Sequence, residues 1–284
     1  MISSLLGKLV GGIVPVIAEH PFSWFQLIPG FGHDAAVGKS IGLHDPAEGF
    51  IIPTTWAIVL FVLALAGLAR MGLNSALAKG GTAAYVPDTG LTVRNAFEVV
   101  IEWLYDLAAG MLGKKEAAAF FPLIGTLFIY LLAANLSGFI PGMLPPTDNF
   151  SHNFALALCV FVVFNYAGLA RNGFGYIKHL AGPVIFLAPA FFVLETVSLF
   201  IRPMSLSIRL TVNIFVDHLL QTVARDLGGS MLGVIGGVLL PVPLYFLGLL
   251  VCVVQAFVFA LLTIIYISLS VAHDHDHDHS PAHH

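Results

Sequence analysis

Charge is the first thing this chain lacks: Asp, Glu, Lys and Arg make up 10% of its 284 residues, against roughly 25% in ordinary soluble domains. With 58% apolar residues and a mean hydropathy of +0.91, a water-soluble globule is excluded and a multi-pass membrane protein is implied. Cysteine is also scarce. Cys159 and Cys252 both lie in apolar runs, where a thiol behaves as a small hydrophobe, so neither a disulfide framework nor a redox site is expected. The net charge of −4 comes from short loops and one tail and carries no message about partners; no nucleic-acid partner is expected. No secretory signal is expected either, because the apolar run from Leu9 to Ala18 is short, holds Gly11, Gly12 and Pro15, and lacks a convincing small-residue cleavage site.

Residues 1–49 mix Gly, Pro, His and aromatics, which suits an arm near the lipid headgroups with Trp24 and Phe25 as anchors. Residues 50–272 form the membrane domain, and 273–284, HDHDHDHSPAHH, a biased tail. Alternating His and Asp could bind a metal, but at a terminus the same pattern is more often a solvated tail, and no metal site or cofactor is assigned. The first span is expected from Ile51 to Ala69, closed by Arg70, the second from Ala117 to Gly138 and the third from Phe154 to Ala170.

Thr92 to Leu112 is different. Arg94, Glu98, Glu102 and Asp106 recur every fourth residue among apolar neighbours, which predicts an amphipathic helix lying on the membrane surface or packed on a partner. The loop FIPGMLPPTDNFSHN has no Lys or Arg, whereas Arg70, Lys79, Arg94, Lys114, Lys115, Arg171 and Lys178 fall in the alternate loops. The positive-inside rule then puts the N-terminus outside and, after five crossings, the C-terminus in the cytoplasm.

The last two apolar segments, Pro183 to Asp226 and Met231 to Val271, would be roughly 66 Å and 61 Å long as straight helices, against a ~30 Å hydrocarbon core. Each must tilt steeply or break. A long, steeply tilted helical hairpin is predicted, turning at Gly228, Gly229 and Ser230, with Pro189, Pro203, Pro241 and Pro243 as kinks. The fold class is therefore all-α membrane protein.

Within this hairpin, ETVSLFIRPMSLSIRLTVNIFVDHLLQ buries charges that each cost about 2.5–3.5 kcal/mol at bilayer depth. Glu195, Ser198, Arg202, Ser205, Arg209 and Asn213 follow at spacings of three and four and form one stripe. Asp217 stands about 80° round from Arg209 and His218 about 180°. Arg209 cannot lose its charge, so it cannot relay a proton. It can attract a carboxylate and block protons from passing straight through. Glu195, Asp217 and His218 can carry protons. Asp217 and His218 lie on the outer side of Arg209 and Glu195 about 21 Å toward the cytoplasm, which describes two offset half-paths around a fixed positive charge. No acid of the chain is placed to be the permanent partner of Arg209, so the carboxylate it serves is expected on another chain. The plainer readings are a structural ion pair for Arg209, an Arg202–Glu195 pair, and interhelical hydrogen bonding for Asn213, Asp217, His218 and Gln255.

RPMSLSIRLTVNIFVDHLL, together with QAFVFALLTIIYISLS and NLSGFIPGMLPPTDN, resembles subunit a of the F-type ATP synthase over about residues 50 to 272. The resemblance implies a membrane subunit, not catalytic alone, that couples proton flow past a ring of c subunits to rotation and ATP synthesis. Its implied partners are the c ring, the peripheral-stalk b subunits, the remaining synthase subunits and the lipid of an energy-coupling membrane, a bacterial inner membrane. It also implies that Arg209 faces the ring, that Asn213 and Gln255 sit near it, that Glu195 is on the cytoplasmic exit path and that His218 is on the uptake path. Two positions depart from the family pattern. Asp217 stands where a small residue is common, and Gly248 where many relatives carry His or Glu, so the uptake path is expected to use the Asp217/His218 pair. A self-contained secondary ion or metal transporter is the alternative, but the inverted repeats and broken midplane helices it would need are not found. An intramembrane hydrolase would need a nucleophile and base within the spans, and His218 has no such companion.

Overall fold

The computed structural model describes residues 48–78, 92–140, 143–173 and 188–271. The N-terminal arm with Trp24 and Phe25, the loops holding Lys79 and Lys178, and the His/Asp tail lie outside the described residues. Among the described residues six helices follow in order: α1 (Glu48–Ala78), α2 (Val93–Leu112), α3 (Lys114–Ser137), α4 (Phe150–Asn172), α5 (Ala188–Leu239) and α6 (Val242–Val271). A 3₁₀ turn, Pro146–Asp148, precedes α4. Among the described residues five stretches are long and apolar enough to cross a membrane: Ile52–Ala78, Lys114–Ser137, Phe150–Arg171, Val197–Met231 and Gly233–Val271. The protein is an all-α, multi-pass membrane protein.

Local chemistry sets the helix ends. Thr92 caps α2 by accepting from the Asn95 N–H, and Gly113 and Gly173, at φ 82° and 50°, stop α2 and α4 where an L side chain would be strained. Asn149 caps α4, its Oδ1 accepting from the Ser151 N–H at 2.8 Å. α1 runs on past Arg70, because Met71 to Ala78 contains no Pro and a helix tolerates a charge near the interface.

α2 is not among the five spans. Its inner face buries Leu104 and Ala108, and Trp103 tilts against Phe128 of α3 and Phe257 of α6, so the chain's own helices take up that face. Arg94 is 4% exposed and its Nε donates to Glu98 at 2.6 Å, so this part of the polar stripe turns inward.

The core joins α2, α3, α4, α5 and α6. Lipid supplies no hydrophobic drive between helices, so close approach depends on small side chains and shape. Ala117, Ala157, Ala256 and Ala260 are almost fully buried there, beside Phe164, Leu206, Leu210 and Phe259.

The hairpin turns later than the sequence suggests. Helical geometry continues through Gly228, Gly229 and Ser230, and the chain reverses at Gly233 (φ 66°). Gly228 instead lies against the returning backbone, where a Cβ would fall 2.1 Å from the Gly236 carbonyl oxygen. Glycines on both sides of the turn let two helices meet backbone to backbone, and the residue that reverses the chain is the one held at positive φ. Leu240 and Pro241 interrupt the return helix, and the Tyr245 N–H donates to the Pro241 carbonyl, the opening bond of α6.

Candidate functional site

Arg209 projects from the middle of α5 on an exposed face flanked by Ile208, Val212 and Val216. The ion pairs among the described residues are Arg94–Glu98 and Arg171–Glu116, and Arg209 belongs to neither. An exposed guanidinium on an otherwise apolar strip is unsuited to lipid and suited to a protein surface that brings a negative charge.

Asn213, one turn on, points toward α6. Its Nδ2 donates to Gln255 Oε1 at 2.7 Å, while Gln255 Nε2, itself buried, has no hydrogen-bond partner among the described residues. Asp217 and His218 are half buried. Asp217 Oδ2 accepts from Gln221 Nε2 at 2.8 Å, and the carboxylate fills the space beside Gly248 that a larger residue would need. A cavity of about 20 Å³, room for one water, opens between α3, α5 and α6. Asn135, Asn213, Asp217, His218, Cys252 and Gln255 supply its polar lining.

Four of the six residues singled out in the sequence therefore meet: Asn213, Asp217, His218 and Gln255 share one cavity. Arg209 faces outward one turn away. Glu195 lies on α5, its side chain outside the described residues. Arg202 has its guanidinium carbon 5.3 Å from the Tyr266 ring centroid, a cation–π contact with α6 that the sequence did not suggest.

Sequence reasoning also missed Asn135 and Gln221. Asn135 Nδ2 donates to the Cys252 carbonyl, 117 residues away, and no local pattern marks such a pair. Gln221 stands four residues after Asp217 on one helix, a spacing that does signal contact.

Residues 53–268 match the family model described as ATP synthase A chain. This chain belongs to that family. It is 37% identical over 246 residues to "ATP synthase subunit a" of Bdellovibrio bacteriovorus, covering 86% of this chain and 95% of that protein. Proteins of the same description from Sorangium cellulosum (43% over 181 residues, 64% of this chain and 68% of that protein) and Geotalea uraniireducens (36% over 215 residues, 76% and 84%) are also similar. Membership in the ATP synthase A chain family makes the chain a membrane subunit of a synthase complex, not an enzyme on its own.

Proposed function

We propose that this chain is the stator subunit that carries protons to and from a rotating ring of c subunits through two offset half-paths. Arg209 is the charge that faces the ring. What carries the reading is its exposed guanidinium, outside every ion pair among the described residues, on a strip of apolar side chains.

In this reading a proton from outside passes His218 and Asp217 through the cavity between α3, α5 and α6 and neutralises a ring carboxylate, which can then move into lipid. An arriving ring carboxylate gives up its proton near Arg209 and leaves it to Glu195 on the cytoplasmic side. Arg209 stays cationic throughout, so it holds the ionised carboxylate and bars protons from crossing directly. Asn213 and Gln255 fix the helix-to-helix spacing next to it. Each charge crossing the field releases about 2.3 kcal/mol per 100 mV, so several protons are needed for each ATP. The peripheral-stalk b subunits hold the chain against the torque, and the membrane is a bacterial inner membrane with the N-terminus outside and the C-terminus in the cytoplasm.

The test is reconstitution with the other synthase subunits. Arg209→Ala is expected to abolish ATP-coupled proton pumping, and retained pumping would overturn the assignment. Solute transport by the purified chain alone would favour the self-contained transporter instead.

A further inference from the structure

We propose that Asp148 is a proton-carrying group at the mouth of the outer half-path, a collector that delivers protons to His218. The inference rests on the outer half-path proposed above and extends it from the hairpin to the loop before α4.

The 3₁₀ turn combines a closed floor with one open carboxylate. Pro145, Pro146 and Thr147 are buried, and Asp148 is exposed. The turn is also fastened to the hairpin. Asn153 Nδ2 donates both to the Thr147 carbonyl at 2.6 Å and to Thr211 Oγ1 of α5 at 2.8 Å, two helical turns before His218. Pro145 lines the cavity beside Asp217 and His218, and the Asp148 N–H donates back to the Pro145 carbonyl at 3.1 Å. One small turn thus forms part of the cavity wall and holds an acid at the rim, reachable from the outer solution.

The electrostatics suit a relay. Protein crowds the carboxyl enough that desolvation pushes it above the usual carboxylate range, although one side stays open to water, and the charge of His218 acts the opposite way. An acid raised in this way moves toward an imidazole in proton affinity, which eases exchange between them. The titratable groups near this turn on the elements packed against it include Asp217 on α5, His152 on α4 and Tyr130 on α3. His152 Nε2 and the Tyr130 hydroxyl are engaged with each other at 3.0 Å, leaving His218 as the interacting base. Glu48 begins α1, its side chain outside the described residues.

Each transfer balances. A hydronium ion of the outer solution protonates a carboxylate oxygen of Asp148 and leaves water, the acid passes that proton to the neutral His218 ring, the imidazolium passes one to the Asp217 carboxylate, and Asp217 hands it to the ring carboxylate. Asp148, His218 and Asp217 end as they began, and the ring carboxylate ends protonated.

The test uses the complete synthase in liposomes, with ATP synthesis measured across a range of outer pH at constant imposed driving force and equal assembled complex. Asp148→Asn and Asp148→Ser are expected to slow synthesis about tenfold at neutral and alkaline outer pH, less than the 10²–10⁴ of a group acting in a transition state, because water partly substitutes. They are expected to match the wild type at acid pH, and Asp148→Glu to keep the wild-type profile. A profile unchanged in shape, whether at full rate or uniformly lowered, would overturn the collector. Arg209→Ala, run in parallel, separates the two proposals: if it abolishes synthesis while the Asp148 variants behave as wild type, only the collector falls.

Discussion

A Cβ built on Gly248 would fall 2.5 Å from Asp217 Oδ1 and 2.7 Å from Oδ2, so the carboxylate on α5 occupies the place a side chain on α6 would take. The acid at 217 and the glycine at 248 are thus one arrangement, because the absence of a side chain at 248 is what makes room for the carboxylate.

Gly248→Ala is accordingly expected to push the Asp217 carboxylate away from Gln221. The destabilisation should be about 1–3 kcal/mol, toward the lower end because Asp can rotate. Adding Asp217→Gly should restore the unfolding midpoint in detergent but not proton uptake. Asp217→Gly with Gly248→His should recover part of that uptake, which ATP-driven acidification of vesicles would measure.

Gln255→Leu separates a functional group from interhelical glue. The Asn213–Gln255 hydrogen bond should contribute only ~0.6 kcal/mol, the average for such bonds in membrane helices, so thermal stability should barely move. Coupled ATP synthesis should fall by about tenfold or more, because the variant frees the side chain next to Arg209. Equal, small losses in both would mark the pair as packing alone.

Tyr266→Leu removes the ring under Arg202 and should cost about 1 kcal/mol, whereas Tyr266→Phe keeps the ring and should behave as wild type. Chemical unfolding in detergent would show the difference. Coupling should survive in both, since this contact joins α5 to α6 two helical turns before Arg209.

Asp148 gives a pH dependence with a definite sign. Desolvation raises its folded-state pKa, with His218 opposing, so the folded protein binds more protons than the unfolded chain between the two values. Stability then falls as pH rises from the ordinary carboxylate range up to the raised pKa. Asp148→Asn should therefore unfold at a higher temperature than wild type at neutral pH, and the difference should vanish in acid.

The chain's one-dimensional pattern was enough for the helices, the five candidate spans and the α2 amphipathic helix. All of these depend on spacings of three and four residues within one helix, on the cost of charge in lipid and on where Lys and Arg accumulate. Tertiary structure decided what meets across helices: Asp217 with Gly248, Asn213 with Gln255, Arg202 with Tyr266, and Asn135 with a carbonyl 117 residues away. It also decided where the hairpin turns, at Gly233 rather than at the glycine pair before it. Residues far apart in sequence come together through rotation about helix axes and through close backbone approach, and a linear pattern encodes neither.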